Sequence, residues 1–185
     1  MKPSAQPNWK PSRLDVRAFA LAGQSLDVTT ELAALERLCA ETVANGDAAV
    51  PVRWQCHGEM RPDAGGKSVP WLHLKAVASV ELTCQRCLGP VSENLEVDRF
   101  FRFVADEATA ELEDEDSEED VLALEPRPDI LGLVEDELLM ALPLVPLHET
   151  CPVPVPMQAG ELADVGESGQ PVRKNPFEAL AQLKK

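Results

Sequence analysis

Cys84 and Cys87 enclose Gln85-Arg86 in a turn that closes at Gly89-Pro90, and this pair is the strongest chemical signal in the chain. Two thiolates at C-x-x-C spacing can take one tetrahedral zinc ion from a tight turn. A second pair with ligand spacing, His148-x-x-Cys151, lies far downstream. Together Cys84, Cys87, His148 and Cys151 make a Cys3His set that would clamp the downstream segment onto the turn. Two other readings stand beside zinc. One is a metal-free thiol turn in which Cys84 packs as a small hydrophobe. The other is a CxxC thiol-disulfide oxidoreductase, with Arg86 lowering a neighbouring thiol's pKa. Thioredoxin-like chemistry, however, places its first cysteine at a helix N-terminus, whereas a strand pattern precedes this turn.

The remaining reactive side chains point to structure. Cys39 and Cys56 fall on apolar faces and read as core thiols. His57 and His73 are isolated strand-face residues. Glu135-Asp136-Glu137 could suggest acid–base carboxylates or a cation site, but three consecutive helical positions fan around the axis and cannot converge. The chain carries no Walker loop, nucleophile elbow, dinucleotide fingerprint or metalloprotease helix. A binding protein without catalytic activity is the expectation.

The elements that must position these groups follow from periodicity. Residues 1–12 read as a flexible lead-in, and Leu14 to Leu21 as a first strand. Thr29-Thr30-Glu31 offers a helix N-cap ahead of Leu32, Leu35, Leu38 and Cys39 at helical spacing, with Asn45-Gly46 as the stop. The period then changes to two: Val50, Val52, Trp54, Cys56 and Met60 alternate with polar residues. Pro62 to Lys67 connects to the clearest element, where Leu72, Leu74, Ala76, Ala78, Val80 and Leu82 share one face and Cys84 continues it. Leu95, Val97, Phe101 and Phe103 suggest a further strand.

Residues 106–120 contain 10 acidic residues and read as a disordered insertion. Val121 to Leu124 then returns to the sheet edge. Asp129 caps a second helix with an inward stripe of Ile130, Leu133, Val134, Leu138, Ala141 and Leu142, while Glu135 and Asp136 lie on its other face. Residues 148–174 form a Pro/Gly-rich tail, and residues 175–185 a short amphipathic close. The expected fold class is α+β: one domain over 13–147, with an antiparallel sheet of about four to six strands and two main helices.

Charge bounds the partners. The net −15 comes wholly from the C-terminal part, because residues 1–105 carry 12 basic and 12 acidic side chains. A non-specific nucleic-acid binder needs a surplus of Lys and Arg to release phosphate counterions, and none exists here. Any RNA contact must be local and positioned, whereas a basic protein partner suits the charge more easily. Five cysteines, an odd number, without a secretory signal favour a reduced, cytoplasmic compartment. No run is long enough to span a bilayer, so no membrane partner is expected. Oligomeric state is left open.

Three blocks in order resemble the bacterial YceD family, the large ribosomal RNA subunit accumulation proteins. They are Thr83-Cys84-Gln85-Arg86-Cys87-Leu88-Gly89-Pro90, the stretch from Asp129 through Glu135-Asp136 and Pro143 to His148, and Asn175-Pro176-Phe177 through Lys185. The resemblance spans most of the chain. It implies a non-enzymatic ribosome biogenesis factor that supports the synthesis, processing or stability of 23S rRNA, and a bacterial cytoplasm. The partner would be an rRNA precursor or a basic ribosomal protein of the early large subunit. A small zinc-binding regulatory module is the alternative. The contact candidates are Arg86 in the turn, Glu135 and Asp136 on the helix, and Asn175, Pro176 and Phe177 in the closing segment. Where some relatives carry a fuller cysteine cluster after the second helix, this chain keeps His148 and Cys151 ahead of Pro152.

Overall fold

The period-two pattern between Val50 and Phe103 folds into three long strands. The computed structural model describes residues 9–43, 49–63, 65–115 and 117–152, and the strands are β2 (Pro51–Pro62), β3 (Ser68–Thr83) and β4 (Pro90–Val104). Every second residue of β3 from Leu72 to Leu82 is buried, as the alternation requires. A shorter β1 (Ser25–Glu31) pairs antiparallel with β2, and β5 (Asp120–Ala123) adds to β4, in the order β1-β2-β3-β4-β5.

The α+β class holds, with one correction to the topology. β5 runs parallel to β4, pairing Phe101 with Asp120 and Val104 with Ala123, so the sheet is mixed. A parallel pair needs a crossover between its strands. Here α3 (Glu107–Asp114) forms part of it, inside the segment expected to be disordered. Asp106 caps that helix by accepting from the Thr109 N–H at 2.9 Å. Ala110 buries against Val104 and Val121.

The first half departs from the expected elements at two more places. Leu14 to Leu21 contains a helix, α1 (Val16–Leu21), capped by Asp15, which accepts from Ala18 N–H at 3.0 Å. Thr29-Thr30-Glu31 is the end of β1, and the Thr30 hydroxyl accepts from the Trp54 indole. Helix α2 (Glu36–Glu41) begins only after a 3-10 turn at Leu32–Ala34. Asn45-Gly46 lies outside the described residues.

Helix α4 (Ile130–Met140) starts where expected, with the Asp129 carboxylate accepting from Leu131 and Gly132 N–H. It packs on β3 and β4, and α1 packs on β2 and β3. The core lies between this helical layer and the sheet, around Phe19, Trp54, Leu72, Leu74, Phe101, Phe103, Ile130 and Leu138. Each such side chain contributes about 1.5–3 kcal/mol by leaving water. Gly58 occupies the inward slot after Cys56 because a Cβ there would sit 2.5 Å from the Phe19 ring.

Candidate metal centre

The turn between β3 and β4 begins with a buried sulfur. Cys84 directly follows β3, continues its buried alternation and is 0% exposed, so the core holds it in place. The chain then reverses tightly: Cys84 N–H donates to Gly89 O at 2.8 Å and Leu88 N–H to Cys84 O at 2.9 Å. Leu88 takes φ 60, in the left-handed region, to close the loop.

The second pair arrives from the far side of α4. Pro143 and Pro146 cannot continue a helix. The segment beyond α4 is tied to the turn, where Gln85 N–H donates to Pro146 O at 2.9 Å. His148 is then oriented by its outer nitrogen. Nε2 lies 2.8 Å from the carbonyl oxygen of Pro90, which can only accept, so Nε2 carries the proton and Nδ1 is left bare. Nδ1 stands 3.4 Å from the Cys87 sulfur. One ligand atom from each of Cys84, Cys87, His148 and Cys151 lies within 4.8 Å of the other three.

Donor identity and orientation both fit zinc. Three sulfurs and one imidazole nitrogen form a structural zinc set. A histidine that donates its other ring nitrogen to a backbone carbonyl is the usual outer-shell arrangement around that metal. Electrostatics agree. Burial pushes the Cys84 thiol upward, but hydrogen bonds from the backbone of Cys87, His148 and Arg86 overcome it and bring the thiol down to about 5. Cys151 is shifted the other way, by burial and by the hydrogen bonds and negative charge of Cys87 and Cys84. Three crowded sulfurs cannot all ionise unless a cation shares their charge. Cys56, buried in the core without such partners, is pushed up to about 12 and behaves as the inert thiol its position suggests.

The turn does not open a helix, so the helix-terminus activation of thioredoxin-like dithiols is missing at Cys84. Arg86 reaches back over the cluster, its guanidinium 3.9 Å from the Cys151 sulfur.

The two helix candidates separate. Asp136 is exposed and pairs with Arg37 at 2.6 Å. Glu135, expected on a solvated face, is instead 8% exposed. Its carboxylate accepts from the backbone N–H groups of Arg37 at 2.7 Å and Leu38 at 3.2 Å, and from the Arg37 side chain. Glu135 therefore caps α2 from another element, in place of the local cap expected at Thr29-Thr30-Glu31. Burial raises its pKa, but the Arg37 guanidinium and the two N–H groups outweigh burial and hold it below the ordinary value. Periodicity also gave no sign of Arg37, because a long-range partner has no local spacing. Asn175, Pro176 and Phe177 lie outside the described residues.

No solved structure matches the chain. The sequence is similar to the large ribosomal RNA subunit accumulation protein YceD of Haemophilus influenzae, at 37% identity over 112 residues, which is 60% of this chain. The matched part spans 63% of that relative's length. The family model described as large ribosomal RNA subunit accumulation protein YceD matches residues 72–184, a stretch that takes in most of β3, the cysteine turn, α4 and the His148–Cys151 pair. With more than half its length matched, the chain belongs to the YceD family.

Proposed function

We propose that this protein is a non-enzymatic binding factor for large-subunit ribosomal RNA accumulation. It would act in the cytoplasm by holding an rRNA precursor or an early large-subunit ribosomal protein during assembly. The observation that carries this reading is the family match itself, since it covers the turn, the following strand and α4 as one block. The geometry supports binding over catalysis because the cysteine–histidine cluster closes on itself. Cys84 is buried, and all four ligand residues face one another rather than a substrate cleft.

Zinc would be held by Cys84, Cys87, His148 and Cys151, and would supply a crosslink between the β3–β4 turn and the chain beyond α4. The residues around it do the positioning. Pro90 fixes the His148 ring, and Gln85 fixes the Pro146 segment. Arg86 and Asp136 are exposed and stand as contact candidates, as do Asn175, Pro176 and Phe177, which lie outside the described residues.

Crosslinking in cells, with RNA and protein partners both identified, tests the reading. Recovery of large-subunit rRNA or its early proteins is expected. Recovery of neither would sink it and leave the rival reading, a zinc-dependent regulatory module without ribosomal association.

A further inference from the structure

The opposite end of the β3–β4 hairpin carries a second constellation that the metal centre does not use. Helices α1 and α4 pack on the inward face of the sheet, and the outward face near Trp71 gathers rings and guanidinium groups. His73 stacks on Phe100 with ring centroids 4.0 Å apart and planes 14° from parallel. The Arg61 guanidinium lies 4.8 Å from the Trp71 ring centre and 4.6 Å from that of Phe100. Two planar faces thus hold this cation flat, with Glu59 as its carboxylate partner. The Trp71 indole N–H is buried and has no acceptor among the described residues.

Beside these residues lie two adjoining hollows of about 840 and 300 Å³, which share Trp71, Glu118 and Glu119 in their walls. Arg102 lines the larger, and Arg61 and Arg99 the smaller. The acidic segment 106–120 forms the other wall and already occupies two of the arginines. Arg102 pairs with Glu113 and with Glu119, the latter at 2.8 Å, and donates to Ser117 at 2.8 Å. Arg99 pairs with Asp120 at 2.8 Å.

We propose that this cleft binds single-stranded RNA, with phosphates taken by the arginine forks beside the Trp71–Phe100 shelf, and that the acidic segment competes for the same arginines when RNA is absent. The inference rests on the ribosomal reading above and chooses RNA over a basic protein for this face. A basic protein would meet three arginines here. Arginine's planar fork matches phosphate oxygens two at a time, and aromatic faces beside arginine are how single strands are held without a base code. A lone phosphate needs one fork, whereas Arg61 and Arg102 along the outward face, with Arg99 at its margin and also held by Glu137 of α4 at 3.6 Å, suit a polyanion. The overall charge of −15 does not decide the matter, because the contact is local: Glu113, Glu119 and Asp120 would leave with the acidic segment, while Asp98 stays paired with His73 and Lys75 and Glu59 with Arg61.

The test uses the full chain and a fluorescently labelled, unstructured RNA 12-mer, with affinity read by anisotropy and folding checked by circular dichroism. Glu113→Gln with Glu119→Gln should tighten binding by about tenfold, since two competing charges are removed whether or not α3 stays folded. Phe100→Ala and Arg61→Ala should each weaken it by about tenfold or more. Unchanged affinity in both sets of folded variants would overturn the proposal, as would preference for an acidic peptide over the RNA. Crosslinking in cells separates the two readings. If Arg61→Ala keeps wild-type crosslinks to large-subunit precursors, the cleft is wrong and the ribosomal role stands. If wild type gives none, the role itself falls.

Discussion

The two ends of the β3–β4 hairpin are each closed by a later segment of the chain, but with different chemistry. At the turn, three sulfurs and an imidazole draw in the chain beyond α4. At the open end, Arg102 draws in the acidic segment through Glu113, Glu119 and Ser117. A thiolate–imidazole clamp depends on a metal and on reduced sulfur and barely responds to salt. A guanidinium–carboxylate clamp needs no cofactor, and its half-exposed carboxylates are screened by salt. On the readings proposed above, one end would stay shut and the other would open to a competing anion.

The largest effect is expected at the sulfur end. Zinc at a thousand times its Kd adds about 4 kcal/mol to the folded state, so a chelator should lower the melting temperature sharply and zinc should restore it. Cys84→Ser should melt low with or without chelator. A purified, metal-free protein with an unchanged melting curve would break the comparison at this end.

At the acidic end, Arg102→Ala removes charge-assisted hydrogen bonds of about 1.5–3 kcal/mol each in buried settings. The exposure of Glu113 lowers the sum, and about 2 kcal/mol is expected by denaturant titration. Hydrogen exchange should rise over residues 107–115 in this variant, and also in wild type at 1 M salt, while the amides of residues 84–90 stay protected. Equal deprotection at both ends would show that they are one cooperative unit.

The smallest effect concerns pH. Glu135 has a folded pKa below its ordinary 4.5, so its stabilisation is complete above that value and lost as pH falls through the lower folded value. Glu135→Gln should cost about 1 kcal/mol at pH 7, because Arg37 is half exposed and screened. The acid limb of stability below pH 4.5 should flatten in parallel. An unaltered acid limb would remove Glu135 from that role.

How much of this was legible in the sequence divides by range. β3 was readable from Leu72 to Leu82 because period two is a local property, and α4 was readable because Asp129 is its own cap. The four residues of the candidate metal cluster were readable because ligand spacing is local within each pair, although only the fold could bring the two pairs together. What escaped was set by distant partners. Helix α3 looked disordered because its burial rests on Ala110 and its Glu113 carboxylate is held by Arg102, from another element. The strand expected at Leu14–Leu21 failed because Asp15 capped a helix that Phe19 anchors over Gly58. A wholly antiparallel sheet failed for the same reason as α3: the crossover it permits was invisible.

The carboxylate that caps α2 also sets a timetable. Glu135 follows Arg37 by 98 positions, so a chain leaving the ribosome exposes α2 without this cap on its first amides until residue 135 has been made. Through that interval β2, β3 and β4 can zip by local hairpin closure, while α2 has no cap to hold it. The helical layer is thus locked last, and a truncation before residue 135 should leave a sheet whose apolar face is open.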